Sequence, residues 1–76
     1  MLDITEVIPR KDYRLEVRFE NGSSAVLDFS KRIHTVRFGM LSDKDFFSRA
    51  KTDGTLITWD NKIEMSAREV FQMLEG

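Results

Sequence analysis

The stretch Tyr13-Arg14-Leu15-Glu16-Val17-Arg18-Phe19-Glu20 alternates apolar and charged residues over eight positions. Such alternation is typical of a β-strand that buries one face and exposes the other. Asn21-Gly22 follows, a dipeptide that favours a hairpin turn, and residues 24–29 then alternate again. The stretch therefore predicts the first two strands of an antiparallel sheet.

The register of this hairpin follows from the length of its loop, because a slip of one residue moves every side chain to the opposite face. A two-residue loop would turn Leu27 toward solvent. A three-residue loop, residues 20–22, pairs Leu15 with Leu27 and Val17 with Ala25, so that the apolar residues share one face. We therefore predict the longer loop, a type I turn that ends on a left-handed glycine.

A second hairpin is predicted around Asp60-Asn61-Lys62, since only a three-residue loop aligns Trp59 with Ile63 and Ile57 with Met65. The two loops match in length, and Lys62 stands where the first loop has Gly22. If the turns are alike, Lys62 has a positive φ, which only glycine adopts without penalty. Replacing Lys62 by glycine would then stabilise the fold by roughly 0.5 to 1 kcal/mol.

The remaining segments complete a single domain over residues 1–76. Asp3 to Ile8 reads as a strand that ends at Pro9, and the turn-prone residues 9–12 return the chain. Ser42 or Asp43 can cap a short helix through Ser48, and Ser66 to Glu69 has the spacing of a capping box that opens a C-terminal helix ending at Gly76. We predict an α+β fold: a mainly antiparallel sheet built from an N-terminal three-strand meander and a second hairpin, with one short central helix and one C-terminal helix.

The apolar stripe of the C-terminal helix, which faces the core, is predicted to consist of Ala67, Val70, Phe71 and Leu74.

Composition excludes several classes of function. The 76 residues include 12 Lys and Arg, 13 Asp and Glu and no Cys, for a net charge of -1. Disulfides, thiol nucleophiles and cysteine-based zinc sites are therefore absent, and no overall field attracts nucleic acid. No apolar run approaches the roughly 18 to 20 residues that span a bilayer, and the first residues lack the pattern of a signal peptide, so we expect a cytoplasmic protein with no membrane contact. A core this small is also compatible with homo-oligomerisation.

Catalytic groups are sparse, and we expect neither an enzyme nor a cofactor. His34 is the single imidazole and lies among cations, without a carboxylate nearby in sequence to orient it. The glycines occur singly, so no loop that cradles a phosphate is present. Asp43 and Asp45 are better explained by helix capping than by metal binding, because a Ca²⁺ loop needs more oxygen ligands at fixed spacing.

The segment from Phe29 to Ser42 is the basic region of the sequence, with no acidic residue. Its binding candidates are Arg32, His34 and Arg37. They could contact phosphate, nucleic acid or an acidic protein. The favoured alternative is a solvated connector in which Ile33, Val36 and Phe38 fill the core.

Two further candidate sites come from the strands. Trp59, the single tryptophan, is favoured as a core anchor with its indole N–H bonded, and the alternative is a ring that stacks on a ligand. Arg14 and Arg18 lie with Glu16 on the charged face of the first hairpin, which can be a solvated face or a docking surface for another protein. The binding candidates are thus Arg14, Arg18, Arg32, His34, Arg37 and Trp59.

Over its whole length the chain resembles the small bacterial family called domain of unknown function 2442. The resemblance is in Tyr13 to Gly22, Leu27 to Ser30, Phe38 to Asp43 and Gly54 to Trp59 with Asn61. Members usually show Trp-Pro-Asn-Gly at the second hairpin and often open the last helix with a proline, whereas this chain has Trp59-Asp60-Asn61-Lys62 and Ala67.

The resemblance implies an α+β fold, no established enzymatic activity and frequent encoding beside a small toxin-like protein. We therefore expect a non-catalytic interaction module with a protein partner, as in the antitoxin-like half of a two-gene pair. The alternative is a regulatory domain that binds a small ligand or nucleic acid.

Overall fold

The computed structural model describes residues 3–75 and consists of two three-stranded antiparallel sheets with two α-helices. Sheet A has the order β1-β2-β3, and sheet B has the order β4-β5-β6. The elements are β1 (Ile4–Pro9), β2 (Arg14–Phe19), β3 (Ser24–Asp28), α1 (Lys44–Phe47), β4 (Ala50–Thr52), β5 (Leu56–Trp59), β6 (Ile63–Ser66) and α2 (Ala67–Glu75). Short 3-10 turns at Arg32–His34 and Gly39–Ser42 lie between β3 and α1. The α+β class and the N-terminal meander are confirmed.

Both predicted hairpin registers are confirmed. In sheet A, Leu15 pairs with Leu27, and Val17 pairs with Ala25. In sheet B, Trp59 pairs with Ile63. The apolar residues of each hairpin therefore lie on one face, as the parity of the sequence requires.

The prediction for Lys62 is wrong. Gly22 has a φ of 86°, as expected, but the left-handed residues of the second turn are Asp60 and Asn61, with φ of 51° and 59°. Two consecutive positive φ values are the signature of a type I′ turn, and Asn and Asp tolerate that region better than other non-glycine residues. Lys62 follows the turn with an ordinary φ, so glycine there relieves no strain.

The turn between β1 and β2 also differs from its prediction. It is centred on Asp12 and Tyr13, with φ of 59° and 60°, two residues further along the chain than the predicted turn. The amide of Arg10 donates to the carbonyl of Arg14 at 2.7 Å and closes the loop. The strand therefore begins at Arg14, and Tyr13 adopts a conformation that is costly for an aromatic residue.

Strand β4 is absent from the sequence prediction, because three residues are too few to show a pattern. It pairs Ala50 with Trp59 and extends the second hairpin to a three-stranded sheet.

The two sheets are joined by a hydrogen bond, which the amide of Ile4 donates to the carbonyl of Gly54 at 2.8 Å. The core lies between the sheets and the helices and contains Leu15, Val17, Leu27, Phe29, Leu41, Ile57, Trp59, Met65 and Val70, all at most 2% exposed.

Both helix starts are confirmed. The carboxylate of Asp43 accepts hydrogen bonds from the amides of Asp45 and Phe46 at 2.9 and 3.3 Å, which caps α1. Ser66 and Glu69 form the reciprocal bonds of a capping box at 3.2 and 3.4 Å. The predicted end at Gly76 lies outside the described residues.

Two apolar residues are more exposed than predicted. Leu74 on α2 is 44% exposed, because the buried stripe of the helix passes through Ala67 and Val70 and is continued by Phe71, which stacks on Phe19. Val36 is fully exposed and does not fill the core, whereas its neighbour Phe38 does. The connector is therefore anchored by Phe38 and Leu41, with Ile33 packed partly buried against the core, and not by its valine.

Candidate functional site

The solvent side of sheet A, called the outer face below, carries charged side chains from all three strands. It is formed by Glu6, Ile8, Arg10, Arg14, Glu16, Arg18, Ser24, Val26 and Asp28. The sequence places these residues there by alternation, because the intervening residues of β2 and Leu27 of β3 are buried.

Ion pairs connect the outer face across β1 and β2. The Nη2 atom of Arg10 lies 2.8 Å from Oε1 of Glu16, and Nε of Arg18 lies 3.0 Å from Oε2 of the same carboxylate. Arg18 also lies 3.5 Å from Glu6. The hydrogen bond from Arg10, and then that from Arg18, lowers the pKa of Glu16, so the carboxylate stays ionised between the two guanidinium groups.

An apolar residue interrupts this charged surface. Val26 of β3 lies opposite Glu16 in the sheet and is 53% exposed. Ile8 of β1 lies opposite Glu16 on the other side and is half-buried. The outer face thus has apolar surface on both sides of a fixed carboxylate.

Strand β3 is an edge strand of sheet A. The amides of Phe19 and Phe29 donate to the carbonyls of Ser23 and Tyr13 at 2.9 and 2.8 Å, which fixes the alternation of the β2–β3 ladder. By that alternation, the backbone groups of Ser24, Val26 and Asp28 point away from β2. No strand pairs with that side among the residues that the structure describes.

The opposite edge of sheet A is protected. Pro9 on β1 has no amide hydrogen, the register of β1 shifts between Ile4 and Glu6, and Ile4 is bonded to Gly54. Proline, irregular pairing and covering contacts all hinder the addition of a further strand. Edge β3 carries no proline and no register shift.

Arg37, a predicted binding residue, is engaged within the chain. Its guanidinium donates to both carboxylate oxygens of Glu69, at 2.5 and 3.0 Å, and to the carbonyl of Glu64 at 2.8 Å. It also lies 4.8 Å from the centre of the Phe38 ring. The bonds to Arg37 lower the pKa of Glu69, and those to Glu69 raise the pKa of Arg37. Arg37 therefore clamps the connector to the start of α2.

The other residues of the basic segment do not gather into one site. Arg32 lines a shallow pocket of about 130 Å³ together with Arg37 and Glu69, where the carboxylate offsets the cations. His34 is exposed at the end of a 3-10 turn and does not line that pocket. Arg14 and Arg18 belong to the outer face instead.

Trp59 is a core residue and not one of the ligand-binding residues, contrary to its place among the binding candidates. Its side chain is 0% exposed, and its indole N–H donates to the carbonyl of Phe47 at 3.1 Å. Phe29 meets its ring edge to face, with the ring centres 5.8 Å apart. No face of the indole is therefore available for stacking on a ligand, and the interpretation as a core anchor is confirmed.

A depression of about 900 Å³ lies between the β1–β2 turn and α1, and it is called the turn–helix depression below. Its lining consists of Pro9, Arg10, Lys11, Asp12, Tyr13, Arg14, Lys44, Phe47 and Ser48. Four of these side chains are cationic and one is acidic. Sequence reasoning missed this cluster because Lys44 is distant along the chain, although the three cations at positions 10, 11 and 14 were a visible signal.

Residues 3–75 contain neither a metal-binding cluster nor a membrane-spanning helix. No group of three or more His, Asp or Glu side chains that could hold a metal ion occurs in that range. None of the helices described there has the length and apolar character needed to cross a membrane.

Comparison of the chain with family models, curated proteins and solved structures finds no match.

Proposed function

We propose that this chain is a non-catalytic protein-interaction module that binds a protein partner through edge β3 and the adjoining outer face. The open edge of β3, with Val26 exposed at its centre, is the observation that carries the proposal. Within sheet A, one edge hinders strand addition and the other does not, and this asymmetry favours β3 over β1 as the place where a partner strand binds.

Strand addition supplies the physical mechanism. An extended segment of the partner would bond to the outward backbone groups of Ser24, Val26 and Asp28, which provides affinity with little dependence on sequence. Specificity would come from the side chains of the outer face. Arg14 and Arg18 favour acidic residues on the partner, and Val26 offers an apolar contact that excludes water.

The resemblance described above supports a partner encoded beside this chain, which we propose to be a small toxin-like protein. The absence of cysteine supports a cytoplasmic setting for the encounter. Arg37 does not enter the proposal, because it lies outside the outer face and holds the connector to the start of α2.

Co-purification of the tagged chain from its native cell, with mass measurement of the eluate, tests the proposal. The deciding variant is Val26→Pro, which removes the outward amide hydrogen of residue 26. The hydrogen bonds between β3 and β2 remain intact, because proline is tolerated at edge positions whose amide points to solvent. The matched control is Val26→Thr, which keeps the amide and the β-branched shape. We expect the complex to survive Val26→Thr and to be lost with Val26→Pro.

Charge reversal at Arg18 gives a second measurement on the same complex. Arg18→Glu should weaken the complex, whereas Lys62→Glu, in the turn between β5 and β6, should leave it unchanged. A partner that is retained by Val26→Pro, with the circular dichroism spectrum of the variant unaltered, would rule out edge β3. A chain that elutes alone, with its genomic neighbour supplied, would remove the proposal altogether.

A further inference from the structure

We propose that the turn–helix depression binds a small organic anion with a flat apolar body, of which an aromatic carboxylate is the simplest example. The depression shares Arg14 with the outer face, but it requires neither the backbone of β3 nor Val26, so its test does not depend on the proposed function. Three observations lead to it: the charge of the rim, the apolar surface inside it and the strained turn that builds one wall.

The rim has a surplus of cations. Lys11, Arg14 and Lys44 take part in none of the ion pairs found among residues 3–75, whereas Arg10 is paired with Glu16. Asp12 is the one carboxylate in the lining. Because the unpaired cations come from the turn, from β2 and from α1, they surround a concave space and favour an anion within it.

The interior is apolar. Pro9 and Tyr13 are half-buried and supply the apolar surface, and the Tyr13 ring packs edge to face on the buried Phe47, with the ring centres 5.8 Å apart. A volume of about 900 Å³ is the size of an organic ligand rather than of an inorganic ion. Aromatic and proline surface binds a flat apolar body, so the ligand combines such a body with a negative charge.

The wall that carries Tyr13 is held in a costly conformation. Asp12 and Tyr13 both have a positive φ, and the Tyr13 hydroxyl donates to the carbonyl of Ser42 at 2.7 Å. That bond occupies the hydroxyl and fixes the ring beside Phe47. Strained backbone that the surroundings hold in place is concentrated at binding sites, where it prepares the wall before the ligand arrives.

A titration followed by ¹H–¹⁵N correlation spectra tests the proposal on the whole chain. The probe is 2-naphthoate, and its comparisons are 2-naphthalenemethanol, which lacks the charge, and acetate, which lacks the ring. We expect 2-naphthoate to shift the amide signals of residues 10–14 and 44–48 in a saturable way, with a dissociation constant on the order of 1 mM. The two comparisons should shift them only at concentrations about tenfold higher or more.

Variants that remove a positive or a negative charge from the lining should change the affinity for 2-naphthoate in opposite directions. Lys44→Gln should weaken binding of 2-naphthoate about two- to fivefold, whereas Asp12→Asn should tighten it about twofold, because the repulsive charge is removed. The matched control is Lys62→Gln, a loss of the same charge outside the lining, which should leave binding unchanged. All three positions are exposed, and the signals of unaffected residues report whether each variant is folded.

Several outcomes would overturn the proposal. Equal binding of 2-naphthalenemethanol would show an apolar patch with no preference for anions, and equal binding of acetate would show a site for simple anions. A twelve-nucleotide thymidine strand that shifts the same amides more strongly, and loses its effect as salt rises, would show a nucleic-acid surface instead. An absence of shifts in the lining, or an equal effect of Lys62→Gln and Lys44→Gln, would exclude the site.

Discussion

The β2–β3 turn and the β5–β6 turn have the same number of residues and give the same kind of strand register, but their backbone conformations differ. In sheet A the positive φ falls on Gly22, the last loop residue. In sheet B it falls on Asp60 and Asn61, the first two loop residues, and the amide of Lys62 donates to the carbonyl of Trp59 at 2.9 Å.

This difference shows that the sequence of a hairpin determines its strand register and its turn type separately. Register is determined by which residues must be buried, and any turn of the right length satisfies it. Turn type is determined by which loop residue tolerates a left-handed conformation. Since the second loop has no glycine, Asp60 and Asn61 adopt that conformation instead.

The largest expected effect is at Gly22. A Cβ added there would have nothing within 4 Å, so the effect of Gly22→Ala is conformational rather than steric. We expect a loss of about 1 to 2 kcal/mol in the free energy of unfolding, measured by urea titration followed by circular dichroism. Gly39→Ala is the matched control, because Gly39 has no positive φ and should not be destabilised by the same change. Equal losses at both positions would contradict the assignment of the first turn.

A smaller gain is expected at Asn61. Glycine at this position accepts a φ of 59° without penalty, and Asp-Gly is a favoured pair at the centre of a type I′ turn. We expect Asn61→Gly to raise the free energy of unfolding by about 0.5 to 1 kcal/mol in the same urea titration. A decrease would show that the amide side chain contributes more to the turn than the backbone strain costs.

The smallest effect is expected at Lys62, and its sign distinguishes the two turn types directly. Because Lys62 has an ordinary φ, glycine there only adds conformational freedom to the unfolded chain. We expect Lys62→Gly to lower the free energy of unfolding by about 0.5 kcal/mol, the opposite of what the alignment of the two loops predicts. A higher urea midpoint for this variant would indicate instead that Lys62 has a positive φ, as Gly22 has in the β2–β3 turn.

Strand pairing and helix starts could be predicted from the sequence because they depend on local patterns. Alternation in β2, the Asp43 cap and the Ser66–Glu69 box each occur within a few neighbouring residues. Strand β4 could not be predicted, since it is too short to show a period and is defined by its pairing with β5.

The candidate site was predictable only in part, because it depends on which charges meet in space. Arg18 was placed on the correct face, but its partner Glu6 belongs to another strand. Arg37 is a binding candidate by sequence, and only the fold brings Glu69 beside it. The turn–helix depression requires Lys44 to face the first turn, which no local spacing reveals.

The position of Phe47 gives the molecule a built-in optical reporter. The only tyrosine and the only tryptophan of the chain both contact this one residue, Tyr13 through its ring and Trp59 through its ring and indole N–H. Movement of α1 therefore changes the surroundings of both chromophores at once. Undocking of that helix would break the indole hydrogen bond and expose Trp59 to water, which shifts tryptophan emission to the red, so the movement can be followed without any added label.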